Sequence, residues 1–197
     1  MLIVGALFVV CSTMSLYAVV HDEQKNEIAE RARRDPLTGL FNRRAFFEQA
    51  DKLEAQGAAF SILMIDIDHF KSINDNHGHL GGDRVLVHAA RLIQSVFRTD
   101  DIACRFGGEE FCVLLRECNL AQGLQLAQEL VSRLAAEPLD VSDGPRVTVT
   151  TSVGVCARVP GQTLLKTLQN ADAALYSAKH QGRNRAVAYP EDAPTVT

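Results

Sequence analysis

The chain has 197 residues, 47% hydrophobic and 22% charged, with a formal net charge of -4. That length suits one domain plus an appendage, and the apolar share excludes a chain disordered throughout. The acidic balance lacks the lysine and arginine excess needed to grip long nucleic acid, so no nucleic-acid partner is expected.

The apolar residues are unevenly spread. Met1 to Val20, MLIVGALFVVCSTMSLYAVV, contains no Asp, Glu, Lys or Arg. At 1.5 Å per residue, such a helix just crosses a hydrocarbon core of roughly 30 Å. A cleaved signal peptide fits less well, because no basic residue precedes the run and the run is too long. A buried soluble helix would show a polar stripe, which is missing. The expectation is a transmembrane segment over 1–20, cut from the end of a longer membrane protein. The flank carries Lys25, Arg31, Arg33 and Arg34, and this bias places the following domain in the cytoplasm, anchored to the inner membrane. Residues 21–34 read as a charged helical stalk that Asp35-Pro36 breaks. The five cysteines, Cys11, Cys104, Cys112, Cys118 and Cys156, are odd in number and form no C-x-x-C pair, which suits a reducing compartment and structural roles.

Asn42 to Ala55 reads as helix. Phe60 to Ile67, FSILMIDI, is an apolar run of strand length, covered on both faces. Asp83 to Phe97 has helical spacing. Ile102–Phe106 and Glu110–Leu115 are short strands joined by Gly107-Gly108, a hairpin signal. Asn119 caps a helix running to about Glu137. Arg146 to Ala157 alternates as a strand. Gln162 to His180 is a last helix closed by Gly182, and Ala186 to Tyr189 suits an edge strand. A hairpin inside an alternating pattern predicts an α+β fold, a mixed sheet with helices packed on it. Residues 190–197 read as a disordered tail.

Three features carry chemistry. Asp66-Ile67-Asp68 ends a buried strand in carboxylates, which suit a hard cation but equally cap a turn. Arg105-Phe106-Gly107-Gly108-Glu109-Glu110-Phe111 is either an anion-binding tip whose glycines permit positive φ, or a plain type I′ hairpin with solvated acids. Lys179-x-x-x-Arg183 either grips a phosphate or offsets a helix dipole.

Taken together and in this order, these features resemble the GGDEF family of diguanylate cyclases over Asp35 to Val187. The motifs are D-P-L-T-G-L-F-N-R-R at Asp35 to Arg44, I-D-I-D-H-F-K-S-I-N-D at Ile65 to Asp75, and G-H-L-G-G-D at Gly78 to Asp83. The loop is G-G-E-E-F at Gly107 to Phe111, and A-D-A-A-L-Y-S-A-K-x-x-G-R-N at Ala171 to Asn184 completes the set. The resemblance implies a domain over 35–189 with a palm-like, mostly antiparallel sheet, as in adenylyl cyclases. It implies condensation of two GTP into cyclic di-GMP by a homodimer. Asp66, the Ile67 carbonyl and Glu109 would hold Mg²⁺ or Mn²⁺, two ions per GTP site. Asn74 and Asp83 would read guanine, with His79 lining the site. Phe70, Lys71, Gly108, Lys179 and Arg183 would surround the phosphates. Glu109 would accept a proton, and Glu110 belongs to the same catalytic pair. Arg98-Thr99-Asp100-Asp101 looks like the family's R-x-x-D inhibitory site, where Arg98 and Asp101 bind the product. Glu129 and Gln125 stand where relatives often supply a further arginine, which weakens the match there. A catalytically inactive module that binds GTP or cyclic di-GMP is the alternative. The intact loop, carboxylates and basic pair argue against it. A cyclase of other nucleotides, or a membrane-anchored interaction protein, fits the motifs less well.

Overall fold

The computed structural model describes residues 32–141 and 146–190. The expected span 1–20, stalk residues 21–31 and tail residues 191–197 lie outside the described residues. Among the described residues no helix is long and apolar enough to cross a membrane. Residues 32–34 are turn and bridge rather than the helix expected there, since the chain already bends ahead of Pro36. The chain divides into two units, 1–34 and 35–197, and the second is described below.

Its elements are β1 (Phe41–Asn42), α1 (Arg43–Ala55), β2 (Phe60–Ile67), α2 (Phe70–Val96), β3 (Ile102–Arg105), β4 (Glu110–Arg116), α3 (Leu120–Ala136), β5 (Thr151–Ala157), α4 (Leu164–His180) and β6 (Arg185–Ala188). The sheet order is β1-β3-β4-β2-β5-β6. Pairs β3–β4, β4–β2 and β2–β5 are antiparallel, while β1–β3 and β5–β6 are parallel. The sheet is therefore mixed and mostly antiparallel. All eight residues of central β2 are buried, because helices cover both faces.

The alternation of β2 sorts the core. Leu63, Ile65 and Ile67 pack with Val85, Leu86, Ile93 of α2 and Leu130, Leu134 of α3. Phe60, Ile62 and Met64 pack with Phe46, Ala50 of α1 and Leu168, Leu175 of α4. Each such fully buried side chain contributes about 2 kcal/mol relative to exposure. Helix starts follow their caps. Asn42 Oδ1 accepts from the Ala45 N–H at 3.0 Å, and Asn119 and Gln122 form a reciprocal capping box.

Three departures from the sequence expectations have physical causes. Helix α2 begins at Phe70, far ahead of Asp83, and breaks once at Gly78 (φ 70°, ψ 171°). Its first segment buries only Phe70 and Ile73, too few apolar residues to mark a helical period. Strand β5 is regular only from Thr151, since Val147 bridges to Leu139 instead. The last strand begins at Arg185 rather than Ala186 and stops at Ala188, where the Tyr189 N–H still donates to Val155 O.

Candidate active site

The C-terminal end of β2, the N-terminus of α2, the β3–β4 turn and the C-terminus of α4 converge at one end of the sheet. Asp66 sits opposite Glu110 on one side and Ser152 on the other. It is only 6% exposed, and Lys179 Nζ lies 2.8 Å from its Oδ2. Burial pushes the Asp66 carboxyl up, with Lys179 and Arg183 opposing and Asp68 reinforcing that shift. Glu109 is also pushed up, by burial first and then by Asp66 and Glu110, against Lys179. Two carboxyls with raised proton affinity thus lie near one ammonium. Ile67 N–H donates to Glu109 O at 3.3 Å, tying the turn to the strand end.

Asp68 does not join this pair. Its Oδ1 accepts from Ser152 Oγ at 2.7 Å, and its Oδ2 accepts from Thr150 Oγ1 at 2.8 Å and the Asn184 N–H at 3.0 Å. Of the two readings of Asp66-Ile67-Asp68, Asp68 takes the turn, whereas Asp66 is paired with Lys179 instead.

His69 follows in the left-handed region (φ 57°), and α2 starts there without a side-chain cap. The first-turn N–H groups, Phe70 and Lys71 among them, have no side-chain acceptor from this position, as an anion niche requires. Lys71 is exposed and the Phe70 ring is buried. After the Gly78 break, the helix returns against itself. A Cβ on Gly82 would lie 1.9 Å from Asn74 Oδ1, so the glycine lets Asn74 pack against the backbone just before Asp83. Asp83 lines an open recess of about 540 Å³ together with Leu37, Leu80 and Val87. His79 is exposed on the same crossing.

The β3–β4 turn is not the type I′ hairpin considered above. Neither Gly107 nor Gly108 has positive φ. The Phe106 and Gly107 N–H groups both donate to Glu110 O, at 2.8 and 3.1 Å. A Cβ on Gly107 would meet Glu110 Oε2 at 2.5 Å, so a larger residue there would make the Glu110 carboxylate swing aside. Gly108 is open on its Cα side, and its carbonyl accepts from Arg105 Nη2 at 2.8 Å and Nε at 3.2 Å. Arg105 also pairs with Asp35 at 3.3 Å. Thr38 donates its N–H and hydroxyl to Asp35 Oδ1. Burial works against Asp35 ionising, yet Thr38 and Arg105 together hold its carboxyl below the usual range. This brace was quoted in the motifs without a role, and only the fold brings its halves together.

Helix α4 closes in a Schellman arrangement: Gly182 (φ 110°) donates to Lys179 O at 3.4 Å, and Arg183 to Ala178 O at 3.1 Å. Arg183 and Asn184 then take left-handed φ of 61° and 48°. Arg183 is exposed and near enough to Asp66 to favour its ionisation. Away from this centre, Asp101 accepts the Arg98 N–H at 2.9 Å and the Arg116 N–H at 3.1 Å. Arg98 and Asp101 line a second recess of about 210 Å³ with Arg116, Gln125 and Glu129. Cys104 and Cys112 face each other across β3–β4 as buried thiols, and burial pushes the Cys112 thiol well up. Both are apolar fillers.

Among the described residues no three His, Cys, Asp or Glu side chains group closely enough to hold a metal by themselves. The donors on offer are two carboxylates and a backbone carbonyl, hard oxygens that suit Mg²⁺ when substrate phosphates complete the shell.

The sequence model of the family described as diguanylate cyclase, GGDEF domain, matches residues 32–185. The diguanylate cyclase VdcA of Vibrio cholerae is 40% identical over 83% of this chain and 49% of its own length. The chain thus spans about half the length of that curated relative. The coiled coil and GGDEF domain of DgcB from Caulobacter crescentus, solved in complex with c-di-GMP, superposes with a TM-score of 0.85 at 29% identity, covering 92% of this chain and 98% of that one. The active GGEEF domain of a Vibrio cholerae diguanylate cyclase superposes with a TM-score of 0.70 at 32% identity, covering 76% and 97%. A family match over most of the chain, on a palm-like α+β fold with the signature residues gathered at one strand end, means that this chain belongs to the GGDEF-domain family of diguanylate cyclases.

Proposed function

We propose that this domain condenses two GTP molecules into cyclic di-GMP with release of two pyrophosphates. The observation that carries this reading is Asp66 and Glu109 at one strand end beside Lys179, both with raised proton affinity and Asp66 adding to the rise at Glu109. Such crowding costs free energy unless a cation joins it. Asp66, the Ile67 carbonyl and Glu109 would hold Mg²⁺ or Mn²⁺, two ions per GTP site, which supply charge neutralisation at the α-phosphate and the departing pyrophosphate.

The chain's own groups do the rest. Asp83 accepts hydrogen bonds from the guanine N1–H and amine, a donor pair adenine lacks, and Asn74 reads the same edge. His79 and the apolar walls of the recess flank the base. The Phe70 and Lys71 N–H groups, Gly108, Lys71, Lys179 and Arg183 gather the β- and γ-phosphates. The 3′-hydroxyl of one GTP attacks the α-phosphorus of the other, and Glu109, with its raised proton affinity, takes the hydroxyl proton. Glu110 shapes the turn through its carbonyl and its contact with Gly107, so its part is to hold Glu109 in place.

One domain holds one GTP, so turnover requires two copies face to face. Cyclic di-GMP would bind back at Arg98 and Asp101 and inhibit. Residues 1–20 would anchor the protein in the inner membrane with this domain in the cytoplasm. The test incubates the chain with GTP, ATP or both plus Mg²⁺ and identifies products by mass. Cyclic di-GMP from GTP alone is expected. Glu109→Ala should lose nearly all of it, and Arg98→Ala should accumulate more. Bound GTP without any product would instead support the inactive-module reading.

A further inference from the structure

Asp68 is 4% exposed, yet all its polar capacity is directed at one place. Besides the three side-chain contacts with Ser152, Thr150 and Asn184, its N–H donates to Thr150 O at 2.9 Å. Two of the four donors and acceptors come from Thr150, so the carboxylate cannot swing without breaking a set. What it holds is informative. The Asn184 N–H belongs to the second of two consecutive left-handed residues, Arg183 and Asn184, neither of them glycine. L-residues leave that region readily unless the surroundings hold them. The next residue, Arg185, already pairs with Ser152 of β5. Asp68 therefore fastens the turn on one side and the sheet fixes it on the other. His69, directly after Asp68, is also left-handed and opens α2. One buried carboxylate thus sits at the joint between the α2 N-terminus and the α4 exit, the two elements that flank the phosphates.

We infer that Asp68 is a positioning residue for triphosphate recognition: by holding the Arg183–Asn184 turn, it aims the Arg183 guanidinium at the β- and γ-phosphates. This rests on the reading of Arg183 as a phosphate ligand, and the experiment separates the two. The full 197-residue chain is titrated with GMP and with a GTP analogue carrying an α,β-methylene bridge, which cannot turn over. Wild type, Asp68→Asn, Arg183→Ala and the double variant are compared, with Thr150→Val as a milder way to loosen Asp68.

Asp68→Asn should weaken the triphosphate about tenfold and leave GMP within about twofold. Arg183→Ala should do the same, and the double variant should be no worse than Arg183→Ala alone, since both act through one contact. Thr150→Val should weaken the triphosphate about threefold without touching GMP. In turnover, KM for GTP should rise in Asp68→Asn far more than kcat falls. If Asp68→Asn does not fold, Thr150→Val carries the same test. Equal weakening of GMP and triphosphate would mean a merely structural role and overturn the inference. So would additive losses in the double variant. An Arg183→Ala chain that binds the triphosphate analogue as tightly as wild type would overturn the phosphate reading of Arg183 itself, and the inference with it.

Discussion

At residue scale, the cleft is built against stability. Asp66 and Glu109 have proton affinities raised first by burial and then by neighbouring carboxylates, Asp68 for Asp66 and both Asp66 and Glu110 for Glu109. A carboxyl raised by folding binds a proton that the unfolded chain has already released. Its destabilising effect is therefore absent below the ordinary carboxylate range and complete above the raised value. Asp35 runs the other way: its lowered carboxyl contributes stability above the ordinary range, lost as pH falls through the lowered value. Glu109→Gln should accordingly raise the melting temperature in EDTA at neutral pH by about 2 °C, while abolishing turnover. The gain should disappear on acidification and shrink when Mg²⁺ is added to wild type. A melting temperature lower than wild type in EDTA would mean that Glu109 is stabilising as it stands. The resemblance singles out Asp66 and Glu109, but the residue pattern by itself does not divide Asp66 from Asp68. Residues two apart on a strand share a face, and only because β2 ends at Ile67 does Asp68 turn toward Thr150 and Ser152.

At the scale of elements, the proposed guanine-reading side depends on a helix folded on itself. The break at Gly78 needs the left-handed region, and the crossing needs Gly82, whose missing Cβ leaves room for Asn74. Gly82→Ala would displace the Asn74 amide rather than open a cavity. The expected result is a KM for GTP raised about tenfold, with kcat changed far less, because base contacts are made equally in ground and transition states. Preference for GTP over ATP should fall in parallel. Competition binding with both nucleotides checks it, and unchanged selectivity would remove Asn74 from base reading. Sheet, hairpin and three of the helices were legible from apolar period. Helix Phe70–His77 was not, because it buries only Phe70 and Ile73. The proposed phosphate role of its start came only through the resemblance.

At the scale of the whole molecule, the proposed reaction needs two copies of the site described here. The carboxylates, basic pair and proposed guanine readers of one chain would serve one GTP, and the attacking hydroxyl would come from a second chain bearing the same groups. Specific activity should therefore rise with protein concentration and level off as copies pair. If residues 1–34 do the pairing, as their charged, helix-prone stretch suggests, a fragment of 35–197 should lose activity far more steeply on dilution than the whole chain. Mixing inactive Glu109→Ala chains into wild type sharpens this, because the hydroxyl proton and the metal site are lost from one half of each mixed pair. Product per wild-type chain should fall as the inactive fraction grows, at constant total protein. Output proportional to the wild-type fraction alone, at every dilution, would mean that one chain completes both bonds.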